Sequence, residues 1–252
     1  MDILLDYFDT GCFDSEVIVF IHGLGSHKIM WAPQLDLGFK YRLLIPDLRG
    51  HGFTEMSDDI TIENMAKDVI ELLDQQDIKS AYICGLSLGG IVAQEIYKQA
   101  PDKVKGLILA NTTSYIDPIV ASSVVMYAQR HHKDIDFIDK IADRSLYKKE
   151  YLGEAKEAFM IREGYIKAAK AAIGYNYFPV LAKVTCPVFL ISGDSDRVTP
   201  SLNQLWMYAA CVNARFVDRI ILTNTGHLSN IESAKEFNRR VDLFIEEASH
   251  GK

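Results

Sequence analysis

A chain of 252 residues is long enough to bury most of its apolar surface in one core, and 48% hydrophobic with 24% charged residues excludes global disorder. A net charge of -7 argues against a nucleic-acid binder working by bulk electrostatics. The N-terminal stretch Met1 to Asp6 carries acids where a secretory signal carries bases, and no apolar run approaches the ~18 residues of a membrane span. A cytoplasmic protein without membrane contact is therefore expected.

Ile3 to Phe8 is expected to form an edge strand, followed by brief apolar runs at Val17 to Ile21, Tyr41 to Ile45, Ala81 to Cys84, Val104 to Leu109 and Val188 to Ile191. Runs of this kind suit strands covered on both faces of a parallel sheet. Phe216 to Leu222 is a further strand, interrupted by Asp218 and Arg219. Between them, Ile62, Met65, Ala66, Val69, Ile70 and Leu73 repeat at helical spacing, as do Ala234, Phe237, Val241, Phe244, Ile245 and Ala248 near the C-terminus. Strand and helix in alternation predict α/β architecture: a doubly wound, mostly parallel sheet of about seven strands with helices on both faces. One stretch breaks the alternation. Residues 113–179 read as helical throughout and hold seven of the twelve tyrosines, with ten basic against nine acidic residues where the rest of the chain has 17 against 25. They are expected to be a helical cap inserted late in the sheet, the core being 1–112 and 180–252. The four cysteines, Cys12, Cys84, Cys186 and Cys211, are scattered singly and read as reduced thiols. No metal site and no cofactor are expected.

The chemistry points to Gly85-Leu86-Ser87-Leu88-Gly89, which follows an apolar strand and opens a helical pattern. A nucleophile on a tight strand-to-helix turn needs small neighbours, and the helix behind it aims free amides at a developing oxyanion. A serine hydroxyl needs a base to take its proton and a carboxylate to orient that base. Of the seven histidines, His22, His51 and His227 lie in turns that follow strands, and His131 and His132 lie in the insertion. Asp194 and Asp196 both follow a late strand, and chemistry alone does not separate them.

Five motifs in this order resemble the α/β-hydrolase superfamily of serine hydrolases: His22-Gly23-Leu24-Gly25, Asp47-Leu48-Arg49-Gly50-His51-Gly52, the elbow at Ser87, Gly193 to Pro200, and Thr225-Gly226-His227. The resemblance covers nearly all of the chain outside the insertion. It implies a triad of Ser87, Asp196 and His227, since the family's acid falls three residues after the glycine and four before the proline. It also implies an oxyanion hole of the backbone amides of Leu24 and Leu88. His22, Asp47, Arg49 and His51 are expected to pin loops. Most members place two or more strands before the oxyanion strand, whereas here only Ile3 to Phe8 precedes it. For the substrate pocket, Leu24, Leu86 and Leu88 are expected to line the floor, Ser26, His27 and Trp31 to lie near an entrance, and Tyr115, Met126, Tyr127 and Phe178 to form walls.

The resulting expectation is a cofactor-free serine hydrolase, monomeric or homodimeric, that cleaves a small carboxylic ester, lactone or thioester through an acyl-enzyme. The alternatives on the same fold are a C–C bond hydrolase acting next to a ketone, an aminopeptidase, a cofactor-free haloperoxidase and a low-turnover ligand-binding receptor. A dehalogenase is disfavoured because that branch has aspartate where this chain has Ser87. A dinucleotide-binding enzyme is disfavoured because no Gly-x-Gly-x-x-Gly follows the first strands.

Overall fold

The computed structural model describes residues 3–11 and 15–250; Cys12 and the acidic start at Met1 and Asp2 lie outside the described residues. Seven strands form one sheet in the order β1-β3-β2-β4-β5-β6-β7. They are β1 (Tyr7–Asp9), β2 (Val17–Ile21), β3 (Arg42–Pro46), β4 (Ala81–Leu86), β5 (Val104–Ala110), β6 (Val188–Gly193) and β7 (Val217–Leu222). Only β1 runs antiparallel, against β3. The edge strand expected over Ile3 to Phe8 is shorter and later, because pairing begins where Tyr7 meets Pro46 and ends where Asp9 meets Leu44. There Asp9 also forms an ion pair with Arg42. Among the described residues β1 is the one strand before β2, in line with the resemblance's exception.

The inner strands are apolar on both sides because both sides are covered. Val19 and Ile21 of β2 join one core cluster with Ile83, Leu107 and Leu190, under α1 (Ile62–Gln75) and α2 (Leu88–Gln99). Ile18 and Phe20 of the same strand join the other cluster with Cys84, Ile108 and Phe189, under α10 (Ala234–His250). That alternation is the period-two geometry of a strand. Helix α1 starts where Thr61 caps it by accepting from Asn64 N at 3.1 Å. The second face also receives a twelve-residue 3₁₀ stretch, Lys28–Phe39, that hydrophobic periodicity did not reveal.

Between β5 and β6 lie α3 (Pro118–His131), α4 (Phe137–Ser145), α5 (Leu152–Glu157), α6 (Tyr165–Ala171) and α7 (Phe178–Leu181). The segment leaves and returns through one neck, where Tyr115 and Asn176 form an antiparallel bridge and Tyr177 N donates to Ser114 O at 2.7 Å. Leu24, from the loop after β2, packs against a small cluster of Ala128, Phe137, Tyr165 and Ile161, so these helices lie directly over that loop. Two elements of the C-terminal half remain, α8 (Leu202–Ala210) and α9 (Ser229–Glu232). No described helix is long and apolar enough to cross a membrane. Cys84, Cys186 and Cys211 are free thiols.

Candidate active site

Parallel strands deliver their following loops to one edge, and the chemistry-bearing residues of this chain follow β2, β4, β5, β6 and β7. Ser87 sits between β4 and α2 with φ 57° and ψ -119°, a left-handed conformation that a side chain adopts only under constraint. The constraint is visible on both sides. A methyl group placed on Gly85 would stand 2.1 Å from Gly89 O, and one on Gly89 would stand 2.1 Å from Ile21 O. Only hydrogen fits at either position, so the turn can close. Ser87 N donates to Ala110 O at 3.1 Å, and Thr112 Oγ1 donates to Ser87 O at 2.7 Å, fixing the turn from the neighbouring strand.

Asp196 and His227, from the loops after β6 and β7, meet at the same edge of the sheet. His227 Nδ1 lies 2.9 Å from Asp196 Oδ2, and both residues are buried. With the Nδ1 proton donated to the carboxylate, neutral His227 keeps the lone pair on Nε2, the tautomer a general base needs. The carboxylate is heavily provided with donors: Val198 N and Thr199 N at Oδ1, at 2.8 and 2.9 Å, and Thr199 Oγ1 and Asn111 Nδ2 at Oδ2, at 2.8 and 2.9 Å. Burial pushes the Asp196 carboxyl up, but the charge and hydrogen bond of His227, with the bonds from Asn111 and Thr199, hold it down at about 2. Asp194 is exposed and engaged elsewhere, accepting from Asn224 N at 3.0 Å, Thr225 N at 3.2 Å and Ser195 Oγ at 2.9 Å. Of the two aspartates, Asp196 bonds His227 and Asp194 bonds the loop after β7.

Ser87 Oγ has no hydrogen-bond partner among the described residues, so the Asp–His half of the constellation is formed and the Ser–His bond is not. Catalytic hydrogen bonds of this type are often long in the free protein and tighten when substrate binds. Asn111 links the two halves. The register pairs Leu86 with Ala110, so Ser87 and Asn111 are the next residues on adjacent strands, and the Asn111 amide then reaches both Asp196 Oδ2 and Gly226 O. Asn111 itself has φ 43°, a conformation asparagine tolerates better than most residues. Sequence reading missed Asn111, Thr112 and Thr199. The one signal was a polar run, Asn111 to Ser114, directly after an apolar strand.

The two amides expected for the oxyanion hole belong to Leu24 and Leu88, the residues that follow Gly23 and Ser87. A methyl on Gly23 would lie 3.4 Å from Ser87 Cβ, which sets the loop after β2 against the nucleophile. Leu24 N and Leu88 N, the latter on the first residue of α2, have no hydrogen-bond partner among the described residues. That loop is pinned by His22, whose Nδ1 donates to Gly23 O at 2.8 Å while Nε2 accepts from Leu48 N at 2.9 Å. Both ring nitrogens are satisfied only in the neutral form. Asp47 accepts from Lys28 N at 2.6 Å and Phe53 N at 2.8 Å, and Arg49 forms a two-pronged pair with buried Asp68.

Burial drives the His22 imidazole down to about 4 against the opposing charge of Asp47, and drives His51, 5.1 Å away ring to ring, to about 3. Both are neutral when folded and take up protons on unfolding once the pH is below about 6.5, so stability is complete above that value and falls as pH drops toward 4. We expect urea unfolding to report a loss of about 2 kcal/mol per histidine between about pH 7.5 and pH 5, with His51→Asn removing one share. Stability unchanged over that range would contradict two buried neutral rings.

The pocket expectations fare less well. Trp31 is fully buried between Phe20 and Phe237, at ring distances of 4.7 and 6.1 Å, in the core on the α10 face. The 3₁₀ stretch that begins at Lys28 carries it there. Ser26 and His27 are buried and fasten this loop to the end of α5, Ser26 Oγ donating to Ala158 O and His27 Nε2 bonding Glu157 O at 2.8 Å. Leu86 and Leu88 belong to the cores on opposite faces of the sheet. Tyr115 and Phe178 line a cavity of about 620 Å³ with Asn203, Trp206 and Ala209 of α8, and neither Ser87 nor His227 lines it. Met126 and Tyr127 stand exposed on α3.

A doubly wound sheet with a strained serine elbow at its carboxyl edge defines the class, an α/β-hydrolase fold. The chain belongs to the Alpha/beta hydrolase family, whose profile matches residues 18–240. It is similar to 3-oxoadipate enol-lactonase 1 of Acinetobacter baylyi, 26% identical over 253 residues that span 94% of this chain and 91% of that protein. Among solved structures, the enol-lactonase from Burkholderia xenovorans LB400 matches with a TM-score of 0.87 and 27% identity over 97% of each chain. A thermophilic esterase from Thermogutta terrifontis matches with a TM-score of 0.85 at 23% identity, over 98% of this chain and 94% of that one, a likeness of fold.

Proposed function

We propose that this protein is a serine hydrolase that opens small carboxylic esters and lactones through an acyl-enzyme, with residues 113–179 as the cap over the site. The observation that carries the reading is the buried 2.9 Å bond between His227 Nδ1 and Asp196 Oδ2 at the edge of the sheet that bears Ser87. In this reading Ser87 Oγ attacks the acyl carbon while His227 Nε2 takes its proton. The carbonyl oxygen gains the negative charge and meets Leu24 N and Leu88 N, each such donor contributing about 3 kcal/mol to transition-state stability. The C–O bond breaks as His227 returns the proton to the leaving alkoxide. Water, deprotonated by the same imidazole, then releases the acid from Ser87. In a lactone the alcohol stays tethered to the acyl group, and the two steps are otherwise the same. The enol-lactonases among the relatives support the lactone branch, and the packing of Leu24 beneath residues of α3, α4 and α6 supports the cap.

The test is turnover of a short-chain aryl ester and of a five-membered enol-lactone in water enriched in ¹⁸O. The reading expects both to be hydrolysed, with one labelled oxygen in the acid product. Failure to turn over either, with tight binding of the lactone, would instead favour a receptor on this fold.

A further inference from the structure

Glu232 is buried near the candidate base, yet the proposed chemistry gives it no part. It lies at the end of α9, and its carboxylate faces three backbone donors from two separate segments. Oε1 accepts from Gly226 N at 2.8 Å, and Oε2 accepts from Tyr147 N and Lys148 N, both at 2.8 Å. Gly226 immediately precedes His227, while residues 145–148 end α4 and lead on toward α5. A second tie runs directly between the same segments, from His227 N to Ser145 O at 2.7 Å. Lys148 Nζ closes the cluster by donating to Glu232 O at 2.9 Å. There is no slack between them: a methyl on Gly226 would lie 2.6 Å from Ser145 O and 2.8 Å from Tyr147 N.

We propose that Glu232 is a positioning residue that fastens the histidine loop to the segment after α4, so that the placement of His227 follows the placement of the helices over the site. The inference rests on the proposed role of His227 as base. An acceptor-only group is required here, since all three partners are N–H donors. Burial raises the Glu232 carboxyl above the usual carboxylate range, and the three N–H bonds with the charge of Lys148 offset part of that rise. Glutamine cannot substitute. Its NH₂ would meet either Gly226 N–H or the Tyr147 and Lys148 N–H pair, donor against donor, and one of the two segments would be released.

The test compares wild type, Glu232→Gln and Glu232→Asp on an aryl ester, measuring kcat and KM separately alongside thermal melting. The downfield ¹H NMR resonance of the His227 Nδ1 proton is recorded for each. The proposal expects kcat to fall about 100-fold for Glu232→Gln while KM changes less than threefold, as an ångström-scale displacement of a catalytic group does. The downfield resonance is expected to shift or broaden. Glu232→Asp keeps the charge but is one methylene too short to reach both segments, and is expected to lose about tenfold; it decides the question if the glutamine variant does not fold. Wild-type kcat and an unmoved resonance in a folded variant would overturn the proposal. A His227→Ala control separates the two levels. If that variant remains active, the base assignment itself has failed; if it is inactive while Glu232→Gln is unimpaired, only the positioning role falls.

Discussion

Replacing Ser87 by alanine is expected to lower kcat for ester hydrolysis by about 10⁴- to 10⁶-fold while leaving the fold intact. The size follows from the role. In the proposed mechanism no acyl-enzyme forms without Oγ, and only the proposed oxyanion amides and substrate binding remain to accelerate direct attack by water. The fold should survive because Ser87 Oγ makes no hydrogen bond among the described residues, so its removal strands no buried partner. The strained φ of 57° is imposed by Gly85, Gly89 and the bond to Ala110 O, and alanine meets the same constraint as serine. Stopped-flow and steady-state assays with an aryl ester measure the loss, and circular dichroism checks the fold. Hydrolysis within tenfold of wild type would remove Ser87 from the mechanism.

Asp196→Asn should cost about 10⁴-fold in kcat. The isosteric amide fits the same space, but one end must then face His227 Nδ1. If its NH₂ does so, the imidazole is driven into the tautomer with its proton on Nε2 and cannot accept from serine. If its oxygen does so, the NH₂ meets the N–H groups of Val198 and Thr199, which now donate to Oδ1 at 2.8 and 2.9 Å. Either way the charge that stabilises the imidazolium is gone. Asp194→Asn provides the contrast: that side chain is exposed and caps Asn224 N and Thr225 N, so its kcat should stay within a few-fold. Comparable losses in the two variants would return the assignment of the acid to the choice that sequence left open.

How much of this could be read beforehand depended on whether a position is fixed locally or by packing. The central strands β2, β4 and β6 were legible because each carries a short apolar run, and the sheet is covered on both faces there. The elbow was legible because the steric demand falls on neighbours, leaving Gly85 and Gly89 in the sequence as its trace. Trp31 was misplaced because closeness to the loop after β2 says nothing about which way the next turn points; the 3₁₀ stretch sends it into the core beside Phe20. Ser26 and His27 looked like pocket residues for the same reason, whereas their partners lie some 130 residues away on α5. Asn111 and Thr199 escaped because their value comes from strand register and from a loop closing on its own carboxylate. Neither leaves a periodic signal.

The central claim is that Ser87 is the nucleophile activated by the His227–Asp196 pair. Intact-mass spectrometry after treatment with an alkyl fluorophosphonate, followed by peptide mapping, tests it most directly. The account predicts a single adduct on Ser87, absent in Ser87→Ala and formed at least a hundredfold more slowly in Asp196→Asn. An adduct on another residue, or equal labelling in wild type and Ser87→Ala, would contradict it.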